Sequence, residues 1–406
     1  MSNKQEHIIC YALPAWEADY LRSTVELMKC LSKDNLVLYV DYAYTFSDCL
    51  KAARGKSKME WKRVFGWKNR LRKISGKNGN GLYLLSLPPV FPSFLFSSYQ
   101  SFGRSNKINA AITAYFINKA VKKLGMKDVI GFNAFQPFLG SHWNIKAQTF
   151  SIYYCYDDFV NVPYFKGFAE KAEKDFISKM NLLIVTSDEL KKRKQQKGIP
   201  AEVVYNGVHF DSFNQYEKSS KLVTTKQKTV GYTGSIDDRI DIDLLQPVVE
   251  KLSHIRFVFI GKIFDKNIYN RLSVYSNVSF LPPVASNEVP VLMSEMNVGI
   301  IPYKINSLTR AIYPLKANEY LAMGLPVVMT PFASIGEADD VVCRAATADE
   351  FAAGIYKSLE ENTEALQQER IRIAKKADWS IRAQQLLTII KTYRANKTTA
   401  TLVLSA

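Results

Sequence analysis

The stretch that decides the fold runs Ile301-Pro-Tyr-Lys-Ile-Asn-Ser-Leu-Thr-Arg-Ala-Ile-Tyr-Pro-Leu-Lys-Ala-Asn-Glu-Tyr-Leu-Ala-Met-Gly-Leu-Pro-Val-Val-Met-Thr330. The apolar run Val298 to Ile301 predicts a buried strand, closed by Pro302. Pro314 suits the first position of a helix, because its φ is already helical and its missing N–H would have had no partner there. Gly324 ends that helix, Pro326 prevents its resumption, and Val327-Val328 start the next strand. The unpaired amides near residues 313–316 make a positive helix end that attracts anions. Lys316 lies in that first turn, and Glu319 follows three residues later on the same face. A cation at the helix mouth and a carboxylate one turn deeper suit a phosphate joined to a diol, as in a nucleotide sugar. The plain alternative is an exposed i, i+3 ion pair. The neighbouring Leu315, Tyr320, Leu321 and Met323 favour a helix packed on a sheet. Ligands of such sheets sit at strand C-termini, beside helix N-termini.

On both sides of this stretch, strands and helices alternate along the whole chain. Strands are predicted at residues 8–12, 36–40, 82–87, 129–132, 148–154, 182–186 and 202–205, with helices at 15–31, 106–124 and 166–180. In the helix over 106–124, Ile112, Tyr115, Phe116 and Ala120 share the predicted apolar face. A second βα series starts at Thr229, and the end of the chain is helical, with residues 398–406 as a loose end. Two doubly wound α/β domains facing across a cleft are expected. Their bounds are 1–208, carrying a basic and aromatic insertion at 51–103, then a linker at 209–228, 229–380, and a C-terminal helix with its tail at 381–406.

The chain has 406 residues, a net charge of +16 and 47% apolar residues, enough for two cores. Residues 1–208 carry +14 of that charge and 209–406 only +2. Between Lys51 and Lys77 eleven basic residues face one acid, Glu60, with Trp61, Phe65, Trp67 and Leu71 interleaved. Cations with interfacial aromatics suit an anionic membrane surface; nucleic acid and a solvated basic loop are the rival readings. Five cysteines without a C-x-x-C argue against a disulfide framework or zinc site and predict a reducing, cytoplasmic setting. The first residues lack a signal-peptide layout, and no apolar run is long enough to span a bilayer. The four histidines have no ligand spacing, so no metal is expected.

The second series opens Val230-Gly-Tyr-Thr-Gly-Ser-Ile-Asp-Asp-Arg239. Gly234-Ser235 after a strand lets a ligand approach the backbone. Arg239 offers a planar fork of donors to a diphosphate. Asp241-Ile-Asp243 resembles a metal-binding Asp-x-Asp, but a helix cap accounts for it better. Asp157 and Asp158 follow a strand, where clefts form; they are candidates to orient an acceptor hydroxyl, or a capping and turn pair.

Four segments together resemble the GT-B retaining glycosyltransferases of the group that uses nucleotide sugars, and within it the teichuronic-acid and capsule glycosyltransferases. They are Tyr153-Tyr-Cys-Tyr-Asp-Asp-Phe, Val204-Tyr-Asn-Gly-Val, the 230–239 segment, and the run from Leu308 to Val328. The last, with its Tyr-Leu-Ala-x-Gly-x-Pro-Val-Val ending, is the most specific. The resemblance implies a donor site in the second half. Glu319 would sit on the ribose hydroxyls, with Lys316 and Arg239 on the diphosphate and Gly234 and Ser235 beside it. The acceptor would bind in the first half. A second Glu common in relatives is here Ala311, so Thr309 and Arg310 stand in for part of that loop. The usual Asp after Asn-Gly-Val is His209. The implied activity is transfer of a sugar, with retention, from a UDP- or GDP-sugar to a lipid-linked or polysaccharide acceptor. It needs no cofactor and would run on the inner face of the plasma membrane, without nucleic acid. A nucleotide-sugar epimerase of the same fold, or a basic membrane-surface binding protein with a degenerate donor site, is the alternative.

Overall fold

The computed structural model describes residues 5–13, 15–16, 23–55, 59–76, 79–96, 98–158, 168–217 and 227–404. The chain divides into two units: residues 1–204 with 383–406, and residues 205–382.

The first unit is built on eight strands: β1 (His7–Ala12), β2 (Leu36–Val40), β3 (Leu71–Ser75), β4 (Gly81–Leu85), β5 (Val129–Ala134), β6 (Gln148–Cys155), β7 (Leu182–Val185) and β8 (Ala201–Val203). Their order is β3-β4-β2-β1-β5-β6-β7-β8. All neighbours are parallel except β3, which pairs antiparallel with β4. The inner strands are near-continuous apolar runs, as a sheet covered on both faces requires. Ile9, Leu38, Val129, Ile117 and Val121 share one core cluster.

Strand β3 lies inside the expected insertion, where no strand is predicted. Its sequence, Leu-Arg-Lys-Ile-Ser, has little apolar content because it is a solvent-facing edge, where basic side chains discourage further pairing. A second difference concerns the helix Tyr99–Lys123. Its buried face is Asn106, Asn109, Ala110, Thr113, Ile117 and Ala120, whereas Tyr115 is exposed and Phe116 and Ile112 half-buried. Close packing at small residues sets that face, and apolarity alone does not find it. The predicted helices at 15–31 and 166–180 are seen as Ser23–Leu31 and Ala169–Ile177; residues 17–22 and 159–167 lie outside the described residues.

The second unit holds β9 (Thr229–Thr233), β10 (Arg256–Ile260), β11 (Val278–Leu281), β12 (Val298–Ile301), β13 (Val327–Met329) and β14 (Cys343–Arg344). Every strand pair is parallel, in the order β11-β10-β9-β12-β13-β14. Numbered within the unit this is 3-2-1-4-5-6, the doubly wound order of dinucleotide-binding sheets. The winding reverses between β9 and β12, and ligands of sheets wound in this order bind at the strand C-termini beside such a reversal. The segment read as a linker is in part folded: Phe210–Asn214 is a helix whose Phe210 and Phe213 enter this unit's core. Residues 218–226 lie outside the described residues.

Three helices close the chain, Ala348–Glu360, Glu364–Lys376 and Trp379–Leu404. The last begins in the second unit, and its residues from Ala383 belong to the first. There Tyr393 donates to Glu202 at 2.6 Å, and Arg394 pairs with Glu6 and Asp128, both at 2.5 Å. The helix runs on through the predicted loose end to Leu404.

Candidate functional site

The loops after β9 and β12 meet around two tyrosines, Tyr232 and Tyr303, whose hydroxyls lie 3.4 Å apart. Both rings are buried. Pro302 ends β12, and Tyr303 bridges to Ile240 of the loop that follows β9. Lys316 donates to the Tyr303 hydroxyl at 2.7 Å. Its ammonium stands 4.8 Å from the Tyr232 ring centre and 5.1 Å from that of Tyr303, within cation–π range of both.

Gly234 ends β9 with φ +128°, a backbone region that L side chains rarely adopt. A Cβ there would stand 3.1 Å from the Lys316 ammonium. Directly behind it, Gly261 has φ +148°, and a Cβ on it would lie 2.0 Å from the Gly234 carbonyl oxygen. Two glycines therefore let two strand ends and a lysine converge. The Ser235 carbonyl takes a hydrogen bond from Tyr232 at 2.7 Å, fixing the turn.

Arg239 is in the cluster, 5.3 Å from the Tyr303 ring centre. Its Nε and Nη2 donate to Asp237 at 2.8 and 2.6 Å, so part of its fork is already committed. Burial raises the Tyr303 phenol, but Lys316 and Arg239 pull it below the ordinary tyrosine value, and this opposing effect wins.

The helix Leu315–Ala322 follows Pro314, which takes the N-cap position, one residue earlier than the sequence reading put it. Among the described residues no side chain caps that end; the Ala317 amide bonds the Pro314 carbonyl, which leaves the amides of Leu315 and Lys316 for an anion. Below, Tyr320 accepts the Thr233 amide at 2.9 Å, and Asn318 donates to the Asn206 carbonyl at 3.0 Å. These bonds fix the helix to the sheet and so hold the lysine in place. Glu319 is half-buried, and its side chain makes no hydrogen bond or ion pair with any described residue. Burial pushes its carboxyl above the ordinary glutamate value, against the charges of Lys316 and His209. A partly dry carboxylate with unused acceptors suits a ligand bearing hydroxyl donors.

Beside Gly261, a hollow of about 550 Å³ is walled by Tyr269, Phe280, Leu281, Pro282 and Pro283 at the ends of β10 and β11. This wall, like Tyr232 and Tyr303, escaped the sequence reading. Aromatic residues in or just after apolar strands look like core until the strand order shows where they end.

The remaining predicted residues fare differently. Thr309 is fully buried, and its backbone and hydroxyl form a capping box with Asn306; it shapes the turn and presents no free group. Arg310 is exposed, and its side chain is unpaired among the described residues. In the first unit, Asp158 is buried with both carboxylate oxygens engaged, by Arg193 and Lys194, each at 2.8 Å. Lys194 also meets Glu173 at 2.7 Å, and Tyr153 donates to Glu173 at 2.8 Å. Burial raises both carboxyls; at Asp158 the two cations outweigh it, while at the deeper Glu173 burial prevails. Asp158 is thus part of a buried ion network and has no free oxygen for an acceptor. The Asp157 carboxylate accepts the Asp158 amide at 2.8 Å, a turn role. Asp241 caps its helix through the Leu244 amide, and Asp243 pairs with Arg271 at 2.6 Å. Among the described residues no group of three His, Cys, Asp or Glu is placed to hold a metal, and no helix is long and apolar enough to cross a membrane.

Residues 227–361 match the family described as "Glycosyl transferases group 1". The Bacillus subtilis (strain 168) protein TuaH, named as a teichuronic acid biosynthesis glycosyltransferase, is 26% identical over 232 residues, 54% of this chain. The match spans 58% of that relative's length. In structure the chain is similar to sucrose-phosphate synthase from Thermosynechococcus elongatus, with a TM-score of 0.67 at 14% identity, covering 97% of this chain and 100% of that one. It is also similar to α,α-trehalose 6-phosphate synthase from Burkholderia multivorans, with a TM-score of 0.65 at 10% identity, covering 98% and 99%. At such identities these structures show the fold, which is GT-B. The part of the second unit that carries Gly234, Lys316 and Glu319 is a glycosyl transferases group 1 domain.

Proposed function

We propose that this chain is a glycosyltransferase that moves a sugar from a nucleotide-sugar donor to a lipid-linked or polysaccharide acceptor in cell-surface polysaccharide synthesis. The observation that carries the reading is the placement of Lys316 over Gly234 at the reversal point of the sheet, with Glu319 one turn deeper. In this reading the diphosphate lies on Lys316, Arg239, the Ser235 turn and the open helix end. The ribose hydroxyls donate to Glu319, and the base enters the hollow beside Gly261. As the anomeric carbon–oxygen bond breaks, its electron pair goes to the diphosphate, whose growing charge those fixed cations and amides stabilise. The acceptor oxygen bonds the same carbon with retention of configuration, and its proton leaves with the departing phosphate. No further cofactor enters this scheme. Arg310, unpaired at the rim, is left for the sugar. The acceptor side falls to the first unit, working at the inner face of the plasma membrane, where the basic stretch 51–77 meets anionic lipid.

Titration calorimetry with UDP and with GDP tests the donor site. Binding of one of them, weakened about tenfold or more in Glu319→Ala, is expected. Binding of neither overturns the reading and leaves a basic surface-binding protein. Turnover of a nucleotide sugar without any acceptor would favour an epimerase in its place.

A further inference from the structure

Residues 61–127 hold thirteen Lys and Arg and no Asp or Glu. The same part of the chain gathers the first unit's exposed apolar side chains. Among the described residues, every large exposed hydrophobic of that unit lies between Phe46 and Tyr115. Leu95 is 79% exposed, and Phe91, Phe94, Phe96 and Ile108 are each 44% or more. Such side chains usually gather in an exposed cluster only where something covers them.

Their setting is rigid. Asn109, buried in the helix Tyr99–Lys123, accepts the Phe91 amide and donates to the Phe91 carbonyl, both at 2.9 Å. It also donates to Ser93 at 3.0 Å, and Ser93 meets Ser105 at 3.0 Å. The loop is therefore clamped to the helix with its apolar side chains outward. Between loop and helix lies a groove of about 390 Å³ lined by Phe91, Pro92, Leu95, Phe96 and Ile108. Arg104 stands on its wall, exposed and without an ion-pair partner among the described residues. Lys107 is exposed on the next turn, likewise unpaired. Phe46 extends the apolar surface, its ring 5.8 Å from that of Phe91.

We propose that this groove takes a hydrocarbon chain of an anionic membrane lipid, whose phosphate is met by Arg104. The occupant follows from the two observations together. An apolar slot alone fits many partners, but a slot built by a stretch of chain that carries thirteen cations and no acid, with an unpaired arginine on its wall, fits a chain that ends in a negative group. A protein partner would need an acidic rim; a free phosphate would leave Leu95 and Phe96 in water. The groove is separate in sequence from the basic stretch 51–77 and is the part that enters the apolar layer. It rests on the acceptor-side reading given above, since it names the lipid surface on which that acceptor would be met.

The test is co-sedimentation of the full chain with vesicles of phosphatidylcholine alone and of phosphatidylcholine with phosphatidylglycerol. Wild type is expected to bind the mixed vesicles. Leu95→Glu should lower that binding about tenfold or more, and Arg104→Gln several-fold. Both positions are exposed, so both variants should fold; circular dichroism and thermal melts of the same preparations check this, and UDP and GDP calorimetry reports the second unit. Unchanged vesicle binding in both variants overturns the groove, as does release by charge reversal at Lys62 and Lys68 with Leu95→Glu still bound. A shift in oligomeric mass in Leu95→Glu without a change in vesicle binding also overturns it, in favour of a second copy on this face. Loss of vesicle binding with nucleotide affinity intact supports it. Absence of nucleotide binding in wild type sinks the transferase reading and leaves the vesicle result to stand by itself.

Discussion

Lys316 and Tyr303 are joined by a 2.7 Å hydrogen bond, and the acceptor is a phenol whose acidity that lysine has increased. The cation is therefore held in position before any ligand arrives. Lys316→Ala should lower the rate of sugar transfer by roughly 10²–10³, the usual loss for one fixed transition-state donor. Tyr303→Phe keeps the ring and should cost about tenfold or less.

The same pair predicts a pH effect. Tyr303 ionises below the ordinary tyrosine value, and its phenolate then competes with phosphate for Lys316. Nucleoside diphosphate affinity should fall as pH rises through that range. Tyr303→Phe should remove this alkaline loss, which calorimetry across the range would show.

Glu319 sets function against stability. Its folded pKa lies above its unfolded value, so the folded state holds its proton longer. Stability falls as pH rises through that interval, and the cost is present in full above the folded pKa. Glu319→Gln should therefore raise the Tm of the ligand-free protein at neutral pH by about 1–3 °C. The same change should weaken nucleotide binding. Thermal scans with and without nucleotide report both effects.

At Gly234 the backbone, at φ +128°, strains any side chain, and a Cβ would press on the Lys316 ammonium. Gly234→Ala should cost about 1–3 kcal/mol in denaturant unfolding. It should also reduce nucleotide affinity more than that loss of stability explains. Gly261→Ala, whose Cβ would collide with backbone, should destabilise at least as much.

Lys194 joins two buried carboxylates in the first unit. Lys194→Met should cost about 3–5 kcal/mol, because it leaves the buried Glu173 without a cation and Asp158 with Arg193 alone. Asp158→Asn should cost less, with transfer activity per folded molecule unchanged. Asp158 titrates below its ordinary value, so its stabilisation is present above the unfolded pKa and is lost as pH falls through the folded one. Urea midpoints across acidic pH should show this loss in wild type and not in the asparagine variant.

The donor half could be read from the sequence because its information is local. Pro314, Gly324 and the valine pair mark a helix between two strands, and the run after Val230 marks the strand that abuts them. What escaped depended on distant partners. Asp158 finds its cations 35 and 36 residues later. Tyr303 becomes a site residue only because β12 pairs with β9 across the reversal of the sheet. The helix Tyr99–Lys123 turns Asn109 and Thr113 inward, since Asn109 meets the backbone of a preceding loop, and so leaves Ile108 and Tyr115 outward. No period within one helix records such an exchange.

The last helix has a practical consequence for anyone wishing to cut the protein in two. A gene fragment stopping at Val204 would omit the turns that carry Tyr393 and Arg394, and so leave Glu202 with Lys191 alone and take from Glu6 its arginine. The amino-terminal half is not encoded contiguously. A workable expression strategy would supply residues 383–404 in trans, or splice them onto the shortened chain by circular permutation.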